Sequence, residues 1–317
     1  MKAFLTFLCL LGFLAPSSVA IANTTLARSD SSAAEPKNRS IEFLKGELAK
    51  ARSNYIMVVA HRGYWHHAPE NSMAAIKNAV EIGVDMVEVD ARRTKDGVMI
   101  LMHDKTLERT TNGTGTVADH TWEELQKLKL KTHEGVLTEH TIPTLEQVMN
   151  YAKGRVLVNI DKAWEAFEEI GQVLRKTGTL EIAVPKAGIN AQQMRPWMQH
   201  IQGSQFMAVI DLDKAKDPRK KIDDYISAYQ PPLMELSFQT ENSSILGQYG
   251  DLQAKDVKIW MTPCAPQWAA GHDDSRAIGG DLEGGWGWLL DHGATILLTN
   301  EPKALIAYLE TKGRRNP

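Results

Sequence analysis

Cysteine is nearly absent: Cys9 and Cys264 are the only two in 317 residues. A framework of disulfides is therefore excluded, and a sizeable apolar core has to carry stability instead. Basic excess is missing too, with 36 Lys and Arg against 39 Asp and Glu for a net charge of −3. Without a basic stripe there is no electrostatic footprint for nucleic acid, so none is expected as a partner. Long apolar runs are lacking everywhere except at the start. There Lys2 is followed by AFLTFLCLLGFLA and then by Ala20-Ile21-Ala22, the small-residue pattern of a cleavage site. That run is too short to span a bilayer comfortably and matches a secretory signal peptide over residues 1–22. The chain is expected to be exported, periplasmic or secreted, with no stable membrane insertion after cleavage.

Residues 23–53 read as a flexible polar leader (23–37) followed by a helix over 39–52, with Ile41, Leu44 and Leu48 on one face. From residue 54 to 317 short apolar runs alternate with amphipathic stretches. The runs are IMVVA (56–60), MVEVD (86–90), VMILM (98–102), VLVNI (156–160), EIAV (181–184), FMAVID (206–211), LMELSF (233–238), VKIWM (257–261) and TILLT (295–299). Strands alternating with helices build βαβ units and a parallel sheet, and this many units in one chain favour closure into a TIM-type (β/α)8 barrel. The count is nine rather than eight. Lys95-Asp96-Gly97 leaves no room for a helix and carries a hairpin signal, so the second and third runs are expected to be antiparallel and the barrel distorted. The interval 104–143 is long for a barrel connection and reads as an insert containing a helix over TWEELQKLK.

The polar residues concentrate at the ends of the first three runs. His61-Arg62-Gly63 closes the first and is followed by Pro69-Glu70-Asn71-Ser72; Glu88 and Asp90 lie on the second; His103-Asp104 closes the third. Carboxyl ends of barrel strands form the active face, and residues two apart on a strand point the same way. One histidine, or one Glu-x-Asp pair, is ordinarily structural. Their coincidence on one rim is not, because carboxylates at short range resist joint ionisation unless a cation sits between them. An all-oxygen donor set suits a hard ion, Mg2+ or Ca2+. Such an ion polarises a phosphoryl oxygen, Arg62 adds planar donors to the same phosphate, and two histidines divide the proton transfers.

Residues 61–115 resemble the signature block of the glycerophosphodiester phosphodiesterase family. The pieces occur in the family's order and spacing: His61-Arg62-Gly63, Pro69-Glu70-Asn71, Glu88-x-Asp90, Thr94-x-Asp96-Gly97, His103-Asp104 and Leu107-x-Arg109-Thr110-Thr111-Asn112-Gly113-x-Gly115, with Ser72 for the usual threonine. VLVNID (156–161), IWMT (259–262) and GATILLTNEP (293–302) are similar to later family strands more loosely. The resemblance implies a barrel with an insert after the third strand. It also implies an acid–base pair of His61 and His103, and one divalent cation held by Glu88, Asp90 and a third carboxylate. Water is implied to split a glycerophosphodiester into sn-glycerol 3-phosphate and an alcohol, with a cyclic phosphate intermediate in related enzymes. Which histidine first acts as base is left open.

Three departures stand out. Asp161 stands where the family's third metal ligand is a glutamate, and is assigned to the metal. Ala163 replaces the family lysine; Lys162, next to it, is expected to point out of the barrel, so Lys186 after the EIAV run is taken as the substitute phosphate ligand. Thr299-Asn300 replaces Thr-Asp, removing a negative charge. Glu70, Glu235 and Trp260 are candidate substrate-pocket residues, and Trp268, Trp286 and Trp288 in the unusual segment 264–288 either wall a ligand or pack on the barrel. His272-Asp273-Asp274 is too local a grouping to read as a second metal centre. The expected ligand is a small-molecule phosphodiester. Competing readings are a phospholipase C- or D-like enzyme acting on an intact lipid such as phosphatidylinositol or sphingomyelin, and a phosphate-binding protein without turnover.

Overall fold

The structure, a computed structural model, describes residues 39–162, 164–230 and 233–316. The expected signal peptide (1–22) and leader (23–37), and Ala163, lie outside the described residues.

Eleven strands are present among the described residues: β1 (Met57–Ala60), β2 (Met86–Arg93), β3 (Met99–Leu101), β4 (Lys129–Lys131), β5 (Leu137–Thr141), β6 (Leu157–Asp161), β7 (Ala183–Ala187), β8 (Met207–Asp211), β9 (Leu233–Ser237), β10 (Lys258–Met261) and β11 (Ile296–Thr299). Eight of them, β1, β2 and β6 through β11, pair in parallel with their sequence neighbours, and the β1–β2 and β1–β11 pairings close the sheet. This is a (β/α)8 barrel. Its strands are short apolar runs buried along nearly their whole length, as they must be when side chains fill one face and helices cover the other.

The ninth expected run is β3. It pairs antiparallel to the upper half of β2, Ala91 opposite Leu101 and Arg93 opposite Met99, outside the closed sheet. The Asp96-Gly97 turn makes this possible, with Gly97 at φ 85° and its N–H donating to Thr94 O at 3.1 Å.

Helix starts follow local chemistry. Ser72 caps Met73–Glu81 by accepting from Ala75 N, and Thr144 with Gln147 forms a capping box on Leu145–Ala152. The N-terminal helix is Ile41–Leu48, capped by Ser40, and it buries Leu44 and Leu48. At the amino ends of the strands, buried Asp85 accepts from Tyr55 Oη, Val58 N and the guanidinium of buried Arg315, tying the first strands to the C-terminal segment.

Two local expectations change. Over 121–129 the helix is only Trp122–Leu125; Lys129 already begins the β4–β5 hairpin, and a second small core of Ile100, Met102, Leu107, Val117, Leu125, Leu130 and Ile142 holds the insert. The alternation in Lys-Leu-Lys suits the hairpin's half-buried strand better than a helix. In the EIAV run, Leu180–Ile182 is a 3-10 turn and the strand begins at Ala183, continuing through Pro185 to Ala187. Lys186 is thus within β7 rather than after it.

Candidate functional site

The carboxyl ends of the strands surround a cavity of about 230 Å3 whose lining includes His61, Arg62, Glu88, Asp90, His103 and Asp161. Lys162, Trp164, Lys186, Glu235, Thr262 and Trp268 complete much of its wall. Strand register explains the carboxylates. Glu88 and Asp90 lie two apart on β2, and Asp90 is the direct cross-strand partner of Asp161 on β6. Oxygen atoms of the three all fall within 4.8 Å of one another.

Like charges so close raise one another's cost of ionisation. Burial, then the neighbouring Asp90, holds Glu88 well above the ordinary carboxylate range. Burial also lifts Asp90; Arg62 opposes the lift and Asp161 adds to it. Burial acts in the same direction on Asp161, but Lys186 and then Lys162 outweigh it and bring Asp161 down to about 2. The donor set fits a hard divalent cation, since such an ion relieves the repulsion that Glu88 and Asp90 retain. Asn159, cross-strand from Glu88, has a buried Oδ1 with no donor among the described residues.

Backbone shape brings Arg62 to these acids. Arg62 has φ 57°, outside ordinary strand geometry, and its N–H donates to Glu88 Oε2 at 3.0 Å. Strain of this kind persists where the surroundings enforce it. Gly63 follows at φ 79°, and a Cβ there would come 2.7 Å from the Ala75 carbonyl carbon, so only glycine lets the loop pass over the next helix. The Arg62 guanidinium donates to Glu70 at 2.9 Å and its Nε is 3.3 Å from Asp90 Oδ2.

The two histidines are held differently. His61 Nδ1 faces Asn300 Oδ1 at 2.8 Å, whereas His103 Nδ1 faces the Asp104 carboxylate at 2.7 Å. Burial and the adjacent Arg62 push His61 down to about 3, against the stabilising bond from Asn300. Asp104 is kept well below its usual range, chiefly by the Arg109 guanidinium, which donates to it at 2.6 Å.

Lys186 Nζ is 3.2 Å from both Asp161 Oδ2 and Glu235 Oε2. Burial would lower it, but Asp161, Glu235 and Glu88 hold it well above the ordinary lysine value. Glu235 also accepts from Thr262 Oγ1 at 2.7 Å.

Several placements correct the reading of the sequence. Lys162 lines the cavity, 3.6 Å from Asp161, because φ 62° breaks the strand alternation that would turn it outward. Glu70 is not part of the cavity wall; it braces Arg62 and Arg109. Trp260 is not either, being fully buried with its Nε1 donating to Thr262 Oγ1 at 3.1 Å. Trp286 is buried and donates to Asp274 at 2.8 Å, while Trp288 stacks on His272 and His292. Of those four tryptophans Trp268 alone reaches the cavity, edge-on to His61. His272, Asp273 and Asp274 do separate jobs: a pair with Glu241, a helix cap on Arg276 N, and acceptance from Thr299 and Trp286.

Other residues at the site were not singled out. Asn71, at φ 56°, clamps Asp90 from both sides, its Nδ2 donating to Asp90 Oδ2 at 2.9 Å and its Oδ1 accepting from Asp90 N at 3.1 Å. The Pro-Glu-Asn piece was the available signal for it. Trp164 in the wall had no such signal.

Comparison with known proteins singles out the same stretch. A model described as the glycerophosphoryl diester phosphodiesterase family matches residues 61–190, and one described as a domain of unknown function matches 206–309. A glycerophosphodiester phosphodiesterase of Caldanaerobacter subterraneus is 45% identical over 108 residues, 33% of this chain and 44% of that protein. Glycerophosphodiester phosphodiesterase 1 of Mus musculus is 38% identical over 117 residues, 36% of this chain and 34% of that one. The matches to these curated relatives thus span less than half of each relative's length. Among solved structures, a glycerophosphoryl diester phosphodiesterase of Parabacteroides distasonis aligns with a TM-score of 0.71 at 24% identity, covering 88% of this chain and 94% of that one. An Oleispira antarctica phosphodiesterase, solved with its product sn-glycerol-3-phosphate, aligns at 0.61 and 18% identity, covering 80% and 96%. At such identities the likeness is one of fold.

Proposed function

We propose that this chain, whose residues 61–190 match the glycerophosphoryl diester phosphodiesterase family, is a member of that family and hydrolyses glycerophosphodiesters to sn-glycerol 3-phosphate and an alcohol. The observation that carries the reading is the meeting of His61, His103, Arg62, Lys186 and three carboxylates around one cavity. Glu88, Asp90 and Asp161 would hold one divalent cation, Mg2+ or Ca2+, which supplies Lewis-acid polarisation of the phosphoryl oxygen when bound. Arg62 and Lys186 bind the phosphate. Both are already oriented by acids, so little ordering is needed when the diester arrives. His61 and His103 move the protons, one from the attacking oxygen and one to the leaving oxygen. Glu235, which lines the cavity, would accept from substrate hydroxyls.

A cavity of about 230 Å3 that carries both acids and the cations Arg62, Lys162 and Lys186 in its wall favours a deacylated diester over an intact lipid. The expected setting is outside the cytoplasm, after loss of residues 1–22. Two measurements test the proposal. N-terminal sequencing of the exported protein should begin near residue 23. Product analysis with glycerophosphocholine, glycerophosphoinositol, phosphatidylinositol and sphingomyelin should show glycerol 3-phosphate from the first two only. Cleavage confined to the intact lipids would overturn the substrate class, and tight binding without turnover would overturn the reaction.

A further inference from the structure

Asn300 stands where the family resemblance has an aspartate, and its surroundings fix which way its amide points. Its Nδ2 donates to the Cys264 carbonyl at 3.0 Å, and its backbone N donates to Asp274 Oδ2 at 2.7 Å. Asp274, only 5% exposed, also accepts from Trp286 Nε1 at 2.8 Å and Thr299 Oγ1 at 2.7 Å. A carbonyl receives only a donor, so the NH2 end of the amide must face Cys264 and the Oδ1 end must face His61. An amide oxygen only accepts, so the proton it receives at 2.8 Å belongs to His61 Nδ1.

We infer that Asn300 is a positioning residue that fixes His61 as the Nδ1–H tautomer, leaving Nε2 as the proton acceptor, with Asp274 anchoring Asn300 in that role. The inference rests on the reading of His61 as one of the proton-transferring pair and adds its direction. The charged groups facing His61 are Arg62 on its own loop, Lys186 from β7 and Glu70 beyond Arg62, so cations dominate and the neutral ring is favoured. His103 has a different partner behind Nδ1, the Asp104 carboxylate at 2.7 Å. Exchanging the family's aspartate for asparagine therefore makes the two histidines unequal.

Nitrogen-15 spectra of the histidine-labelled, full-length protein test this directly. Wild type should show His61 protonated at Nδ1 and bare at Nε2 throughout about pH 5 to 8. In Asn300→Asp the His61 titration should move up by about one pH unit or more, and the acidic limb of kcat/KM for glycerophosphocholine with Mg2+ should follow. In Asn300→Leu the single tautomer should be lost and kcat should fall about 10- to 100-fold, with KM nearly unchanged. A leucine variant that keeps both the tautomer and kcat would overturn the inference. Should that variant misfold, an aspartate variant with unmoved titration and pH profile would overturn it instead. A wild type that turns over no diester would refute the phosphodiesterase reading, while the spectra would still decide the tautomer.

Discussion

At the scale of single residues, the site depends on side chains that hold other side chains. Asn71 makes two bonds to Asp90, beside the Arg62 guanidinium that also approaches its carboxylate. Residues behind metal ligands typically set affinity by 10- to 100-fold. Asn71→Ala is therefore expected to weaken Mg2+ or Ca2+ binding by about that factor with the fold retained, as read by calorimetric titration. Unchanged affinity would mean that Asp90 is oriented without Asn71. His61, Arg62, Glu88, Asp90 and His103 were legible in the sequence because they sit in one stretch at strand ends. The contact at His61 Nδ1 was not, since Asn300 reaches it across the closure of the barrel from 239 positions away and is itself held by the Cys264 carbonyl. Lys162 was misplaced for a different reason: strand alternation stops at a residue with φ 62°, which composition does not announce.

At the scale of elements, β3 was legible through its Asp-Gly turn, while β7 was set too early because Pro185 reads as a strand terminator. Proline is accommodated there while Val158, Asn159 and Ile160 of β6 pair with Ala183, Val184 and Pro185 of β7. One step further along the two strands, Lys186 meets Asp161. A cation is in this way supplied from β7 to the acid on β6, where the family resemblance has a lysine on the same strand as the acid. Lys186→Ala should raise KM for glycerophosphocholine and lower kcat, about 10-fold or more in kcat/KM, because a buried phosphate-binding charge is removed. A variant with unchanged turnover and phosphate affinity would show that Lys186 only neutralises Asp161 and Glu235. The β4–β5 hairpin was missed because Leu130 packs into a separate small core that no periodicity within the insert reveals.

At the scale of the whole molecule, the closed barrel forces three carboxylates together, and folding bears the cost. A carboxyl raised by burial and like charge binds its proton more tightly folded than unfolded. Stability is then present at low pH and declines as pH rises from the ordinary carboxylate range toward about 8, the value to which Glu88 is raised. A cation needs the ionised acids, so its stabilising effect grows over the same interval. The increase in melting temperature produced by Mg2+ or Ca2+ should accordingly be larger at pH 8 than at pH 6. An equal increase at both would place the ion elsewhere. The barrel itself was legible from the alternation of apolar runs and helices, since parallel strands buried on both faces leave a strong pattern. The shape of the cavity at their ends was not, because it is set by loops whose contacts are remote in sequence.

The central claim is a metal-supported hydrolysis at this one cavity. Release of glycerol 3-phosphate from glycerophosphocholine by the wild-type protein, after EDTA treatment and after return of Mg2+ or Ca2+, tests it most directly. Negligible release is expected with EDTA, recovery on adding the ion, and no recovery in Glu88→Gln. Equal release under all these conditions would contradict it.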